Sequence, residues 1–170
     1  NALEQALQIK EQNPDTTITI LTMGPPRAAE IIREAIFRGA DTGIVLTDRA
    51  FAGADTLATS YALSAAIRKV GEVDLIIAGR QAIDGDTAQV GPQIAEKLHI
   101  PQLSYVEEVI ALEGKNIRAR RAIEGGYEIL EAPMPVLLTV IDANEPRPQN
   151  AARIMKYKRA RTLSEFKAEH

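Results

Sequence analysis

The stretch DLIIAGRQAIDGDTAQVG, residues 74–91, constrains the fold of this chain more than any other part of the sequence. Its apolar run from Leu75 to Ala78 is short and ends at Gly79, which is typical of a strand buried on both faces of a parallel sheet. From Thr87 onward the spacing predicts a helix, whose apolar face is formed by Val90, Ile94, Ala95 and Leu98. The stretch therefore predicts a strand, a polar loop and a helix start.

The predicted loop has chemistry that suits a ligand. The first N–H groups of a helix lack partners within the helix and carry partial positive charge, and ligands of open α/β sheets bind at this end of the strands. Gly85 and Gly91 allow backbone to approach a ligand, whereas Asp84 and Asp86 suit capping the helix or accepting hydrogen bonds from hydroxyl groups. Most strand-to-helix loops hold no ligand, so local chemistry alone favours a simple cap by Asp86.

The remainder of the first hundred residues alternates helices and strands. We predict helices at Ala2 to Gln12, Arg27 to Arg38 and Thr56 to Val70, and strands at Thr16 to Met23 and Gly43 to Thr47. This alternation indicates an α/β fold with a doubly wound, mostly parallel sheet. After Pro101 the pattern predicts hairpin strands at Leu103 to Leu112, Lys115 to Ile123 and Tyr127 to Ala132, as a small antiparallel extension. Val136 to Ile141 is predicted to return to the main sheet.

Composition excludes several classes of function. The chain has 170 residues and a formal net charge of −3, which gives no general attraction to nucleic acid. It has no cysteine, which excludes disulfides and thiolate chemistry within these residues and fits a reducing, cytoplasmic location. His99 and His170 are too far apart in sequence to suggest a metal site, and no apolar run approaches the ~20 residues of a membrane span. The sequence shows no recognisable catalytic triad.

The last part of the chain differs from the rest. Residues 144–152 contain two prolines and are predicted to be irregular. Residues 153–161, RIMKYKRAR, place five cations among apolar side chains. They form either a solvated basic end or a docking segment for an acidic partner surface. A further helix is predicted from Leu163.

With these features together, the sequence resembles the β subunit of electron-transfer flavoproteins. The resemblance is carried by MGPP at 23–26, GADTGIVLTDRAFAGADTLATSYAL at 39–63, AGRQAIDGDTAQVGPQIAE at 78–96 and NEPRPQNAARIMKYK at 144–158. It implies an adenine-nucleotide-binding α/β domain over residues 1–142, followed at 143–170 by a partner-recognition loop and the start of a C-terminal arm. Family members have a strand before the first helix seen here and a longer arm, so both ends are expected to be missing.

The resemblance also implies cofactors and a heterodimer. The partner α subunit holds an electron-carrying FAD, and the β subunit itself binds AMP in the housekeeping type or a second FAD in the flavin-bifurcating type. The implied nucleotide contacts are Met23, Gly24, Pro25, Ala82, Asp84, Gly85, Asp86, Thr87, Ala88, Gln89, Val90 and Gly91. Residues 88–91 match the positions that hold phosphate through amides at a helix start, so the resemblance outweighs the simple cap.

The loop also indicates the type. AMP-type members tend to carry an asparagine and a Thr-Gly pair here, whereas this chain has TAQVG at 87–91 after DGD at 84–86. The small residues make it more similar to the bifurcating type, in which NAD(P)H reduces the β-subunit FAD. FAD is therefore favoured over AMP. The alternatives are a housekeeping electron shuttle with structural AMP, and an adenylate-binding module without redox function.

The segment 144–156 matches the family's recognition loop, which docks onto partners such as acyl-CoA dehydrogenases. The implied partner contacts are Glu145, Pro146, Arg147, Ala151, Ile154, Met155 and Lys156. Ala151 stands where many AMP-type members place a leucine anchor. Because apolar anchors carry much of a small interface's energy, this difference argues against the usual acyl-CoA dehydrogenase docking mode.

Overall fold

The computed structural model describes residues 1–141 and 145–158, together with the backbone of residues 164–166. The helices are α1 (Ala2–Gln12), α2 (Ala29–Arg38), α3 (Thr56–Val70), α4 (Val90–Leu98) and α5 (Ala151–Tyr157). The strands are β1 (Thr19–Met23), β2 (Thr42–Leu46), β3 (Leu75–Gly79), β4 (Gln102–Glu113), β5 (Asn116–Ile123), β6 (Gly126–Pro133), β7 (Val136–Val140) and β8 (Ser164–Phe166).

The described strands form two sheets, where the sequence predicted a single main sheet. A parallel three-stranded sheet has the order β1-β2-β8, and a five-stranded sheet has the order β3-β7-β4-β5-β6. β1 and β3 are edge strands of their respective sheets, and no described strand lies between them. The architecture is therefore mixed α/β, mostly parallel, with added antiparallel strands.

The antiparallel extension and the return of β7 to the sheet are confirmed. β7 lies between β3 and β4 and runs parallel to both. The first part of β4 pairs with β7, and its later part pairs antiparallel with β5, which in turn pairs antiparallel with β6. The change of partner coincides with an irregularity between Leu103 and Val106, where Tyr105 has φ 59°.

Each sheet has its own apolar core. Leu7 of α1, Ile32 and Ile36 of α2 and Val45 of β2 are buried together beside the three-stranded sheet. On the five-stranded sheet a second core is formed by Leu103, Val106, Ile117, Ala119, Ala132, Val136, Leu138 and Val140. Each large apolar side chain buried in this way stabilises the fold by about 1.5–3 kcal/mol.

β3 is less buried than the sequence predicted. All five residues of β7 are buried, whereas Leu75 to Ala78 of β3 are only half-buried. The reason is position, because β3 has a paired strand on one side only, while β7 is central. An apolar run identifies a strand, but it does not say whether a neighbour covers each edge.

Most predicted element bounds are close to those observed. The predictions for α1 and α3 are confirmed, and the Asp55 side chain caps α3 by accepting from the N–H of Ala58 at 2.8 Å. Two predictions near the C-terminus are wrong. The irregular segment gives way to α5 at Ala151, because Asn150 caps it, and residues 164–166 form a strand where a helix was predicted. Predictions for residues 142–144, 159–163 and 167–170 lie outside the described residues.

Candidate functional site

The loop between β3 and α4 has an unusual backbone. Asp86 and Ala88 adopt φ 47° and 53°, a left-handed conformation that residues with a Cβ adopt at a cost of about 1–2 kcal/mol. A right-handed helix cannot include such residues, so α4 begins at Val90 and not at Thr87 as predicted. The predicted cap is also wrong, because the Asp86 carboxylate accepts a hydrogen bond from the Gln81 side-chain amide.

The start of α4 leaves backbone donors without helical acceptors. Gln89 is the N-cap residue and makes no side-chain cap hydrogen bond. The N–H groups of Val90 and Gly91 belong to the first turn, where no earlier carbonyl of the helix can accept from them. Pro92 has no N–H at all. The helix therefore offers two adjacent donors at the end of the loop, where the helix dipole favours an anion.

Gly91 brings this helix start into direct contact with the sheet. A Cβ built on Gly91 would lie 2.8 Å from Cγ2 of Thr139, 3.6 Å from Cδ2 of Leu137 and 3.7 Å from Cβ of Ala78. The first of these distances is too short for any side chain. A Cβ on Gly85, by contrast, would meet nothing within 4 Å. The sheet thus requires glycine at Gly91, whereas Gly85 borders open space.

The start of α3 also contributes to this site. The sequence did not predict this contribution. The Thr56 hydroxyl donates to Oε1 of Gln89 at 2.9 Å, and Nε2 of Gln93 donates to the Thr56 hydroxyl at 3.5 Å. Oε1 of Gln93 is buried without a hydrogen-bond partner. The available signal was the Asp55-Thr56 pair at the start of the helix predicted from Thr56. The N-terminal ends of α3 and α4 are therefore linked through polar side chains.

The middle of the loop is open to solvent and acidic. Ile83 is fully exposed, and Asp84 and Asp86 are exposed as well. Asp84 accepts from the N–H of Gly85 at 2.9 Å, which stiffens the turn locally. Carboxylates repel a bare phosphate but accept hydrogen bonds from hydroxyl groups. The loop thus combines acceptors at 84–86 with backbone donors at Val90 and Gly91.

The second predicted contact region, Met23 to Pro25, follows β1. The N–H of Gly24 donates to the carbonyl of Leu46 at 2.9 Å, which holds the turn beside the end of β2. The turn lies at the carboxyl end of the three-stranded sheet, and the loop 82–91 lies at the carboxyl end of β3 in the five-stranded sheet. The structure therefore places these two predicted regions on different sheets.

The predicted recognition segment, residues 145–158, is anchored on α1 by Arg147. Nη2 of Arg147 lies 2.7 Å from Oε1 of Glu4, and its Nη1 lies 2.5 Å from Oε1 of Glu11. The main-chain N–H of Arg147 also donates to Oε2 of Glu4 at 3.3 Å. Hydrogen bonds from Arg147 hold the pKa of the buried Glu4 carboxyl below its ordinary value, and the same bonds raise the pKa of Arg147.

A second arginine anchors the segment on α2. Nη1 of Arg153 donates to the carbonyls of Ile36 at 3.0 Å and Ala40 at 2.8 Å, at the C-terminal end of α2. The N–H of Asn150 donates to the carbonyl of Phe37 at 2.9 Å. A guanidinium at this end complements the helix dipole and gives the carbonyls of Ile36 and Ala40 a further donor.

The predicted partner contacts fall into two groups according to whether their side chains are exposed. Arg147 faces α1 and Ile154 is half-buried. The other predicted contacts are exposed: Glu145, Pro146, Ala151, Met155 and Lys156. Met155 is 78% exposed and is the large apolar side chain that α5 presents to solvent. An apolar residue that is followed by two lysines, Lys156 and Lys158, is a suitable contact for a partner with an acidic rim.

Comparisons with known proteins agree with these features. Residues 1–163 match the family described as the electron transfer flavoprotein domain. The caffeyl-CoA reductase-Etf complex subunit CarD of Acetobacterium woodii is 53% identical over 91% of this chain and 59% of its own length. The electron transfer flavoprotein subunit beta of Clostridium acetobutylicum is 52% identical over 91% of this chain and 59% of its length. Protein FixA of Azorhizobium caulinodans is 46% identical over 95% and 60%, respectively.

The chain spans about three-fifths of the length of these curated relatives. In the part that the structure describes, none of the helices is long and apolar enough to cross a membrane. The match to the family domain covers nearly all of the sequence, and the C. acetobutylicum relative, at 52% identity, is named as a beta subunit. The chain therefore belongs to the electron transfer flavoprotein family, among its beta subunits.

Proposed function

We propose that this chain carries the nucleotide site of an electron-transfer subunit, with FAD held by the loop from Ala82 to Gly91. The protein would pair with an FAD-binding α subunit and pass electrons between NAD(P)H or a dehydrogenase and downstream acceptors. The single observation that carries this proposal is the start of α4. There, the N–H groups of Val90 and Gly91 have no helical acceptors, and the sheet leaves no room for a side chain at Gly91.

The residues at the loop fit the phosphate and hydroxyl groups of a dinucleotide. Val90 and Gly91 supply amide donors for a phosphate, and Asp84 and Asp86 supply acceptors for hydroxyl groups. The buried Oε1 of Gln93 lacks a donor, which a ligand or water would provide. Ala88 places only a methyl group beside the helix start, so a bulky ligand has room.

A flavin bound here would supply the exchange between two-electron and one-electron chemistry that electron bifurcation needs. The chain's own contribution is to bind and orient the group. The link from Thr56 to Gln89 fixes the end of the loop, and the contact between Gly91 and Thr139 fixes the helix start. Both contacts would fix the position of the ligand's phosphates relative to the sheet.

We further propose that residues 145–158 contact a redox partner that acts on acyl-CoA compounds. The A. woodii relative is named for a complex with a caffeyl-CoA reductase, which is a partner of this chemical class. The exposed Met155 would supply an apolar contact, and Lys156 and Lys158, which follow it, would supply positive charge. Ala151 would contribute little, because a methyl group buries little area.

The experiment is a count of nucleotides in the full-length protein co-expressed with its α subunit. Bound nucleotides are released with acid, and FAD and AMP are quantified per heterodimer. Two FAD and no AMP are expected. One FAD with one AMP would instead indicate a one-electron shuttle whose β site holds a structural ligand. One FAD and no second nucleotide would refute the proposed site.

A further inference from the structure

We propose that Glu4 is a positioning residue for partner docking. Through Arg147 it fixes residues 145–158 on α1, so that α5 is presented to a partner in one orientation. This inference rests on the proposed docking role of that segment. It assigns a function to a residue of the first helix that itself lies buried, away from the exposed surface of α5.

Arg147 contacts the Glu4 carboxylate through both its side chain and its main-chain N–H. The side chain donates from Nε at 3.2–3.3 Å and from Nη2 at 2.7 Å to the two carboxylate oxygens. The main-chain N–H of Arg147 donates to the same carboxylate at 3.3 Å. One carboxylate therefore holds the backbone as well as the side chain, and a bidentate pair of this kind fixes orientation as well as distance.

The neighbouring residues transmit this anchoring along the chain. Arg147 stands between Pro146 and Pro148, whose rings fix φ and restrict the residue before each of them. The second anchor begins at Asn150, whose N–H is bound to the carbonyl of Phe37 and whose side chain caps α5. A short, stiff connection thus joins the anchor on α1 to the anchor on α2.

α5 needs such anchoring because it is short. Its seven residues are fewer than an isolated helix requires in water, so its order depends on what holds it. Binding through a segment that is already ordered avoids the entropy cost of ordering it in the complex. Glu4 would therefore act on partner affinity and leave the chemistry of the flavins unchanged.

The test uses Glu4→Gln in the full-length protein bound to its α subunit, with two readouts. Hydrogen exchange should become faster by about tenfold at the amides of 150–157, since a hydrogen-bonded charge pair is lost. With reduced short-chain acyl-CoA dehydrogenase as the electron donor, KM should rise by about threefold or more, with kcat and bound FAD unchanged. Glu11→Gln is the matched control and should have a smaller effect, because Glu11 is 63% exposed.

Two surface variants separate this inference from the docking proposal. Met155→Ala and Lys156→Glu should raise KM without changing hydrogen exchange. If neither changes KM, the docking proposal fails, and with it the role of Glu4 in docking. If they raise KM but Glu4→Gln does not, the positioning role alone is refuted. Unchanged exchange at 150–157 in Glu4→Gln would also refute it, because the anchor would then not order α5.

Discussion

The loop 80–89 and the segment 145–158 are both exposed connections, yet they are held in opposite ways. The segment is fixed by two arginines and by a main-chain hydrogen bond to α2, before any partner is present. The loop contains two residues in left-handed conformation and a fully exposed isoleucine, and it leads into α4, where Oε1 of Gln93 is buried without a donor. The difference is what the two proposals require: a segment that would be ordered before it docks, and a loop that a bound ligand would complete.

The largest effect is expected at the point where the loop meets the sheet. Gly91→Ala should lower the free energy of unfolding by about 2–3 kcal/mol, because the added methyl group would overlap Thr139. It should also reduce the nucleotide content of the β subunit. The measurement is urea unfolding of the full-length heterodimer, with nucleotide release. Gly79→Ala is the control, since a Cβ there meets nothing within 4 Å; equal losses in both would contradict the close approach.

The next effect concerns the anchor on the segment, and it depends on pH. Glu4→Gln should destabilise the protein by about 1–2 kcal/mol at pH 7. Arg147 lowers the pKa of Glu4 in the folded state, so this contribution is complete above the ordinary pKa of 4.5 and disappears as the pH falls below it. Unfolding of both proteins from pH 7 to pH 3 measures the difference. If the difference in free energy of unfolding between the two proteins stayed constant or grew in acid, the stabilising role of the Glu4–Arg147 ion pair would be contradicted.

The two regions that these variants test also show which structural features could be predicted from the sequence and which could not. Alternating apolar runs predicted α1, α3, β7 and the antiparallel extension, because burial and helical spacing are local patterns. The start of α4 was misplaced by three residues, since nothing in Asp86 or Ala88 themselves reveals a left-handed backbone. The anchor of Arg147 on Glu4 joins residues 143 positions apart, and such a pair cannot be deduced from spacing.

The resemblance supplied the site residues, and geometry refined their roles. It gave Arg147 as a partner contact, whereas the structure turns this side chain toward α1. It did not give Thr56, which donates to Gln89 at the end of the loop, or Gln93, which donates to Thr56. Motifs that resemble those of a family identify a region, but only the packing shows which side chains hold it and which remain exposed.

A smaller effect on stability would test whether the backbone of the loop is strained before its ligand binds. Ala88→Gly should raise the free energy of unfolding of the nucleotide-free protein by about 0.5–1 kcal/mol, because glycine adopts φ 53° without steric cost. Urea unfolding after removal of bound nucleotide measures it. Ala65→Gly within α3 is the control and should lower stability by about 1 kcal/mol. A loss in both variants would mean that Ala88 is not strained.

The smallest effect on stability is expected at the exposed face of α5. Charge reversal at Lys156 and Lys158 should change the free energy of unfolding by no more than about 0.5 kcal/mol. It should nevertheless slow electron transfer to the redox partner and flatten its dependence on salt, because the lysines would attract an acidic surface. Stopped-flow rates at several ionic strengths test this. Unchanged rates at low salt would contradict the role of these charges.

The most direct test of the contrast is hydrogen exchange of the full-length heterodimer with and without the nucleotide of the β site. We expect amides of 82–91 to exchange more slowly when the nucleotide is bound, while amides of 150–157 stay equally protected in both states. This result would establish that the ligand completes the loop and that the segment is ordered in advance. Equal exchange of 82–91 in both states would show that the nucleotide does not bind there.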